Sequence, residues 1–293
     1  MTQHSRHDTR QHHEHGHGRG HGHGHGHHDE VGLAELLDLD AEVLGSYLDD
    51  MAEWVGQHAL DQPRSIADIG AGTGRGSLAL ARQFPAAEVI AIDRSAAMLD
   101  RIRVSADEEG VADRMRVVQA DLDVGWPAVG AVDVAWAASS LHEVADPDRL
   151  LGDLHDALNP GGLLVVVEMD GLPRFLPDDL GRGRPGLELR CHELLNRANW
   201  NAHPDWRPHL ERAGFEIAEQ RSITVDANPV PPNAGRYARA YLSRIHEFLD
   251  GQLPAEDLDT LDHLLTDDNP DSLLRRPDLT VRGSRTAWAA RRT

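Results

Sequence analysis

Among 293 residues there is no lysine; arginine supplies all 29 basic side chains against 49 acidic ones, for a formal net charge of −20. That balance argues against a nucleic-acid partner, because binding phosphates needs clustered positive charge. There is one cysteine, Cys191, which excludes an intrachain disulfide and a cysteine-based zinc site. No apolar run reaches the roughly 18 residues of a membrane span, and the first residues lack the apolar core of a signal peptide. The expectation is a cytoplasmic protein with neither a nucleic-acid nor a membrane partner. Oligomeric state stays open, a homodimer included.

Histidine, by contrast, is abundant. Eleven of the 19 histidines fall within the first 28 residues, most of them in HHEHGHGRGHGHGHGHHDE, residues 12–30. Neutral imidazole is a good ligand for Ni²⁺, Cu²⁺ and Zn²⁺. Yet a His-Gly alternation fixes no geometry and loses conformational entropy on binding. Residues 1–30 therefore read as a disordered tail with no ordered metal and at most weak binding by His21, His23, His25, His27 and His28. The competing reading is a metal-handling protein, in which this tail is the functional element and the rest a carrier or sensor.

Residues 31–293 are near the upper limit for one hydrophobic core. A helical segment, 31–62, comes first: Leu44, Tyr47, Leu48, Met51, Trp54 and Val55 recur at helical spacing, with Asp40 as the expected N-cap. Then SIADI, AEVIAID, MRVVQAD, AVDVAWAAS and GLLVVVEMD alternate with helical stretches, the third of these, LHEVADPDRLLGDLHDAL, reading as one helix stopped by NPGG. Continuous apolar runs between helices indicate strands covered on both faces, hence a doubly wound, mostly parallel α/β sheet. From Gly171 the regularity fails. Segments 171–210 and 228–276 read as candidate substrate caps, with FEIAEQRSITVDA between them and a last strand in LTVRGSRTAWAARR.

The chemistry concentrates in ADIGAGTGRG, residues 67–76. Glycines there permit positive φ and close approach to a ligand, at the start of a helix with partly charged N–H groups. The spacing is D-x-G-x-G-x-G rather than the G-x-G-x-x-G of nicotinamide-cofactor sites. With VIAIDRSAAML, VVQADL, VDVAWAASSLHEVADP and NPGGLLVVVEMD in order, residues 65–170 resemble the class I S-adenosylmethionine-dependent methyltransferases. The resemblance implies a Rossmann-like seven-stranded sheet with an antiparallel last strand and a cofactor-binding core over 65–170. It implies S-adenosyl-L-methionine as cofactor, bound by Asp68, Gly70, Ala71, Gly72, Gly74, Asp93, Arg94, Met98, Asp121, Leu122, Ala137 and Ala138. Asp93 would accept from the ribose hydroxyls and Asp121 from the adenine amine, with the Leu122 N–H donating to a ring nitrogen.

In this architecture catalytic groups stand at the C-terminal ends of strands. That selects His142 as the candidate general base, with Glu143 and Glu168 beside it; His192 and His203 are alternatives in the irregular segment. The chain lacks the Pro-Pro-aromatic signature of amino-methylating DNA enzymes and the Pro-Cys of cytosine-C5 enzymes. A small organic methyl acceptor, methylated on O, N or C, is the expected partner. Arg236, Tyr237, Tyr241 and Arg244 recur at helical spacing and are candidates to line its pocket.

Overall fold

The computed structural model describes residues 26–44, 47–59, 62–198, 200, 204–227 and 229–293. Two helices, α1 (Gly26–Leu44) and α2 (Tyr47–His58), precede the sheet. Then come β1 (Ser65–Ile69), α3 (Arg75–Gln83), β2 (Glu88–Asp93), α4 (Ala96–Glu108), β3 (Met115–Gln119), β4 (Val132–Ala138), α5 (Pro147–Ala157) and β5 (Leu158–Met169). The last part holds α6 (Leu187–Arg197), α7 (Arg207–Arg212), β6 (Phe215–Asp226), α8 (Ala234–Phe248), α9 (Ala255–Leu265) and β7 (Arg282–Arg292).

The seven strands form one sheet in the order β3-β2-β1-β4-β5-β7-β6. β1 to β5 pair in parallel, and β7 runs antiparallel between β5 and β6. The order reverses between β1 and β4, and such a switch point opens a crevice at the C-terminal strand ends. The apolar runs are central strands: Ile66 to Ile69 and Leu163 to Val167 are buried. FEIAEQRSITVDA alternates because β6 is the edge strand, mostly exposed along its length.

Successive strand residues point to opposite faces, so the sheet feeds two cores. Val134, Trp136, Val165 and Val167 pack with Met51, Trp54 and Val55 of α2 and Leu78 and Leu80 of α3. Ala135, Ala137, Leu164 and Val166 pack with Leu150, Leu151 and Leu154 of α5 and Leu210 of α7. A third core stands off the sheet, where Leu36 and Leu39 of α1 meet Cys191 and Leu195 of α6, Tyr237, Tyr241 and Ile245 of α8, and Leu261 and Leu264 of α9.

Three local expectations are corrected. Asp40 is no N-cap: α1 runs through it, and its carboxylate is taken by Tyr237 and Arg285 instead. The helix expected from Leu141 splits into a 3₁₀ turn, Leu141–Glu143, and α5, which starts only at Pro147. Proline at the first helical position and Asp146 Oδ1 accepting from the Arg149 N–H at 3.0 Å fix that start. NPGG belongs to β5, which begins at Leu158 directly after α5. α1 also begins at Gly26, inside the segment read as tail; the side chains of His27 and His28 and everything up to residue 25, His21, His23 and His25 included, lie outside the described residues.

Candidate active site

A cavity of about 300 Å³ opens over the C-terminal ends of β1, β2 and β4, within the usual range for small-ligand sites. One end is formed by the loop after β1, by Asp93, Arg94 and Met98 after β2, and by Asp121 and Leu122 after β3. The other is formed by His142, Glu143, Met169 and Trp200, with Tyr237, Tyr241 and Arg244 of α8. Leu33, Leu36, Leu37 and Asp40 of α1 lie along it as a cover.

The β1 loop is shaped by glycine where nothing else fits. Gly70 and Gly74 have φ of 68° and 84°. A Cβ at Gly70 would stand 2.7 Å from Ser140 Cβ, and one at Gly74 would stand 2.6 Å from Ile102 Cγ1. Under the loop, buried Asp68 accepts from Ser77 Oγ at 2.6 Å. Burial pushes its carboxyl up to about 7, against the Ser77 hydrogen bond. Asp93 ties the loop down: Oδ2 accepts from the Gly72 N–H and Oδ1 from the Ser95 N–H, both at 2.8 Å.

Those contacts leave capacity unspent. A carboxylate has about four acceptor positions, and Asp93 uses two. Asp121 uses one, for the Asp123 N–H at 3.0 Å. Among the described residues the Leu122 N–H has no acceptor, and the buried Trp136 indole N–H at the cavity wall has none either. Donors and acceptors from β2, β3 and β4 thus border one concave space.

At the other end, Glu168 on β5 is 1% exposed and holds the turn after β4. Its Oε1 accepts from the N–H groups of Ser140 and Leu141 at 3.0 and 2.8 Å. Its Oε2 lies 2.7 Å from His142 Nδ1; a carboxylate only accepts here, so Nδ1 carries the proton. His142 Nε2 is 3.5 Å from Glu143 Oε1. Burial opposes a charge on the imidazole, but the bonds to Glu143 and Glu168 outweigh it and lift its pKa from 6.5 to about 10. In the same turn Ser139 is held at φ 53°, the one positive φ outside glycine among the described residues, a strain of about 1–3 kcal/mol typical of ligand sites.

Residues 66–162 match the family model of a methyltransferase domain. The chain is 36% identical to a demethylmenaquinone methyltransferase of Thermus thermophilus over 38% of this chain and 50% of that protein. It is 37% identical to a trans-aconitate 2-methyltransferase of Acidovorax sp. over 59% of this chain and 58% of that protein. The chain thus spans 50–58% of the length of these relatives. The fold is shared with a candidate sarcosine dimethylglycine methyltransferase of Galdieria sulphuraria, at a TM-score of 0.54 and 13% identity, covering 91% of this chain and 98% of that one.

Residues 66–162 form a methyltransferase domain.

Within this methyltransferase domain, most of the expected cofactor residues border the cavity: Asp68, Gly70, Ala71, Gly72, Asp93, Arg94, Met98, Asp121, Leu122 and Ala138. Gly74 and Ala137 do not; Gly74 caps α3 against Ile102, and Ala137 points into the α5 face of the core. The three catalytic candidates differ in placement. His142 is at the wall, and its contacts with Glu143 and Glu168 raise its pKa to about 10, which favours the protonated ring over a free base. Glu168 lies behind the wall, with its acceptor positions engaged by the turn and by His142. Glu143 is at the wall, and its hydrogen bond to His142 holds its carboxyl below the usual range. The lid histidine His192 is buried on α6 away from the cavity, and burial pushes its pKa down to about 4; His203 lies outside the described residues.

Of the four residues singled out on α8, Tyr237, Tyr241 and Arg244 reach the cavity, while Arg236 turns to Glu35 on α1 at 2.9 Å. Sequence reading missed the group that holds the cover in place. Arg285 on β7 donates through Nη2 to both oxygens of Asp40 at 2.8 Å and lies 4.4 Å over the Tyr47 ring. The Tyr237 hydroxyl donates to Asp40 Oδ1 at 2.6 Å. Nothing in the sequence set Arg285 apart from the other three arginines of β7, Arg282, Arg291 and Arg292.

Proposed function

We propose that this protein transfers a methyl group from S-adenosylmethionine to a small organic molecule held between the β1 loop and α8. The observation that carries the reading is the row of unspent groups at consecutive strand ends: two acceptor positions on Asp93, three on Asp121, and the Leu122 N–H. That set suits a ribose diol and an adenine edge. The positive-φ glycines let the loop backbone approach the amino-acid part of the cofactor, and Asp68 with Ser77 supports the loop from below. Bound S-adenosylmethionine supplies a sulfonium-activated methyl group.

The chain's own share is alignment and water exclusion. Holding two reactants in register contributes roughly 7–11 kcal/mol, and α1 and α8 close over the site. His142, held by Glu168 and facing Glu143, has its pKa raised by both carboxylates, which favours the protonated ring at the acceptor end. The relatives' names diverge, from demethylmenaquinone to trans-aconitate, so the acceptor has to be read from this cavity. Calorimetry with S-adenosylhomocysteine and with NAD tests the reading. Binding of the first with a Kd in the micromolar range and none of the second is expected; NAD binding without S-adenosylhomocysteine binding overturns it.

A further inference from the structure

The acceptor end of the cavity contains a cation and a hydroxyl that no side chain or backbone group among the described residues uses. Arg244 lines the cavity and has no ion-pair or hydrogen-bond partner among the described residues. Every other arginine at the wall except Arg94 at the rim is engaged: Arg75 with Asp38 at 3.1 Å, and Arg285 with Asp40. Tyr241 lies three residues before Arg244, on the same face of α8. Its ring is buried, packed against Phe175 and Tyr237, while its hydroxyl has no hydrogen-bond partner among the described residues and is not sealed off from the cavity. Burial also pushes Tyr241 up, so the hydroxyl keeps its proton and donates. Glu143 feels the Arg244 charge but is directed at His142, 3.5 Å away, and Asp40, which acts on Tyr241, is taken by Arg285 and Tyr237.

We infer that Arg244 and Tyr241 form a carboxylate anchor, and that the methyl acceptor is a small organic acid. The inference rests on the methyl-transfer reading and adds the class of acceptor. A guanidinium offers a planar fork of donors matched to a carboxylate, and such charge-assisted bonds are about twice as strong as neutral ones. The site lies within a cavity bordered by apolar Leu33, Leu48, Met169 and Trp200, where a bound anion would be shielded from water. His142 also lines the cavity, and its raised pKa favours the positively charged ring, which adds to the preference for negative charge. The protein's net charge of −20 makes the feature more telling, since an acidic surface repels the ligand that this one wall attracts.

The test uses the full chain saturated with S-adenosylhomocysteine and titrates succinate, citrate and benzoate, each beside its neutral amide, by calorimetry at pH 7. At least one acid is expected to bind about tenfold or more tightly than its amide. Arg244→Gln should abolish that preference. Tyr241→Phe, which keeps the ring packing, should weaken it by roughly threefold. S-adenosylhomocysteine binding should be unchanged in both variants. Acids and amides binding alike, no acid binding at all, or an undiminished preference in Arg244→Gln overturns the anchor. Failure of S-adenosylhomocysteine to bind the wild type would instead overturn the methyl-transfer reading beneath it.

Discussion

The two ends of the cavity are built in different ways. The cofactor end comes from one stretch of chain, with a glycine loop and acids placed at the ends of adjacent parallel strands, where the backbone itself sets the geometry. The acceptor end is assembled from α1, α8, β7 and the turn after β4, and side chains set its geometry. Asp40 meets partners 197 and 245 residues away in the chain. The first end is tuned by what each backbone position permits, the second by which buried charges find each other.

If that contrast holds, the largest effect follows from breaking the charge group under the cover. Asp40→Ala leaves the Arg285 guanidinium, 6% exposed at its side chain, without its carboxylate. Removing one partner of a buried pair costs about 3–5 kcal/mol, so a loss near 3 kcal/mol is expected in urea denaturation, Asp40 itself being partly exposed. A loss below about 1 kcal/mol would mean that the apolar contacts of α1 hold the cover without this group.

The next effect comes from the turn after β4 and is read by pH. The His142 pKa is raised from 6.5 to about 10 in the folded protein. Its stabilisation is therefore complete below the unfolded value and is lost as pH rises through about 10. Asp68 and Glu188, both raised to about 7 by burial, act in the same direction at lower pH. Unfolding free energy should fall between pH 7 and 10 by on the order of 2–4 kcal/mol, and His142→Gln should flatten that fall. A wild-type profile already flat from pH 7 to 10 would refute the charged imidazole.

How much was legible follows the same division. IADIGAGTG, VIAID and VVQAD could be read because each couples an apolar strand to the residues at its own end, and the structure brings these to one cavity. Asp40 was read as a cap because only its local neighbours were in view; its function depends on Tyr237 and Arg285. Glu168 was read as catalytic from its place after β5, and nothing in the sequence said that the Ser140 and Leu141 amides would occupy it. Arg236 and Arg244 look equivalent by spacing, and only tertiary packing sends one to Glu35 and the other to the cavity.

The cofactor end can be broken by a single methyl group. Gly70→Ala puts a Cβ 2.7 Å from Ser140 at a φ of 68°, combining backbone strain with a clash. A stability loss of about 1–3 kcal/mol is expected, with a drop in S-adenosylhomocysteine affinity larger than any Asp40→Ala causes, because the loop rather than the cover is displaced. Equal affinity losses in the two variants would erase the distinction between the ends.

The smallest effect is the sharpest control on the α8 wall. Arg236 and Arg244 are cations on one helix, but the Arg236–Glu35 pair is about half exposed on both sides, and exposed pairs contribute about 0–1 kcal/mol. Arg236→Ala should therefore change unfolding free energy by less than about 0.5 kcal/mol and leave S-adenosylhomocysteine binding untouched. A loss above about 1.5 kcal/mol would exceed what an exposed pair supplies. It would mean that α1 is tied to α8 mainly at the surface, and that the buried Asp40 group is secondary. Since Arg236 donates to α1 and Arg244 to nothing among the described residues, equal behaviour of the two variants would also remove the reason for treating Arg244 as poised for a ligand.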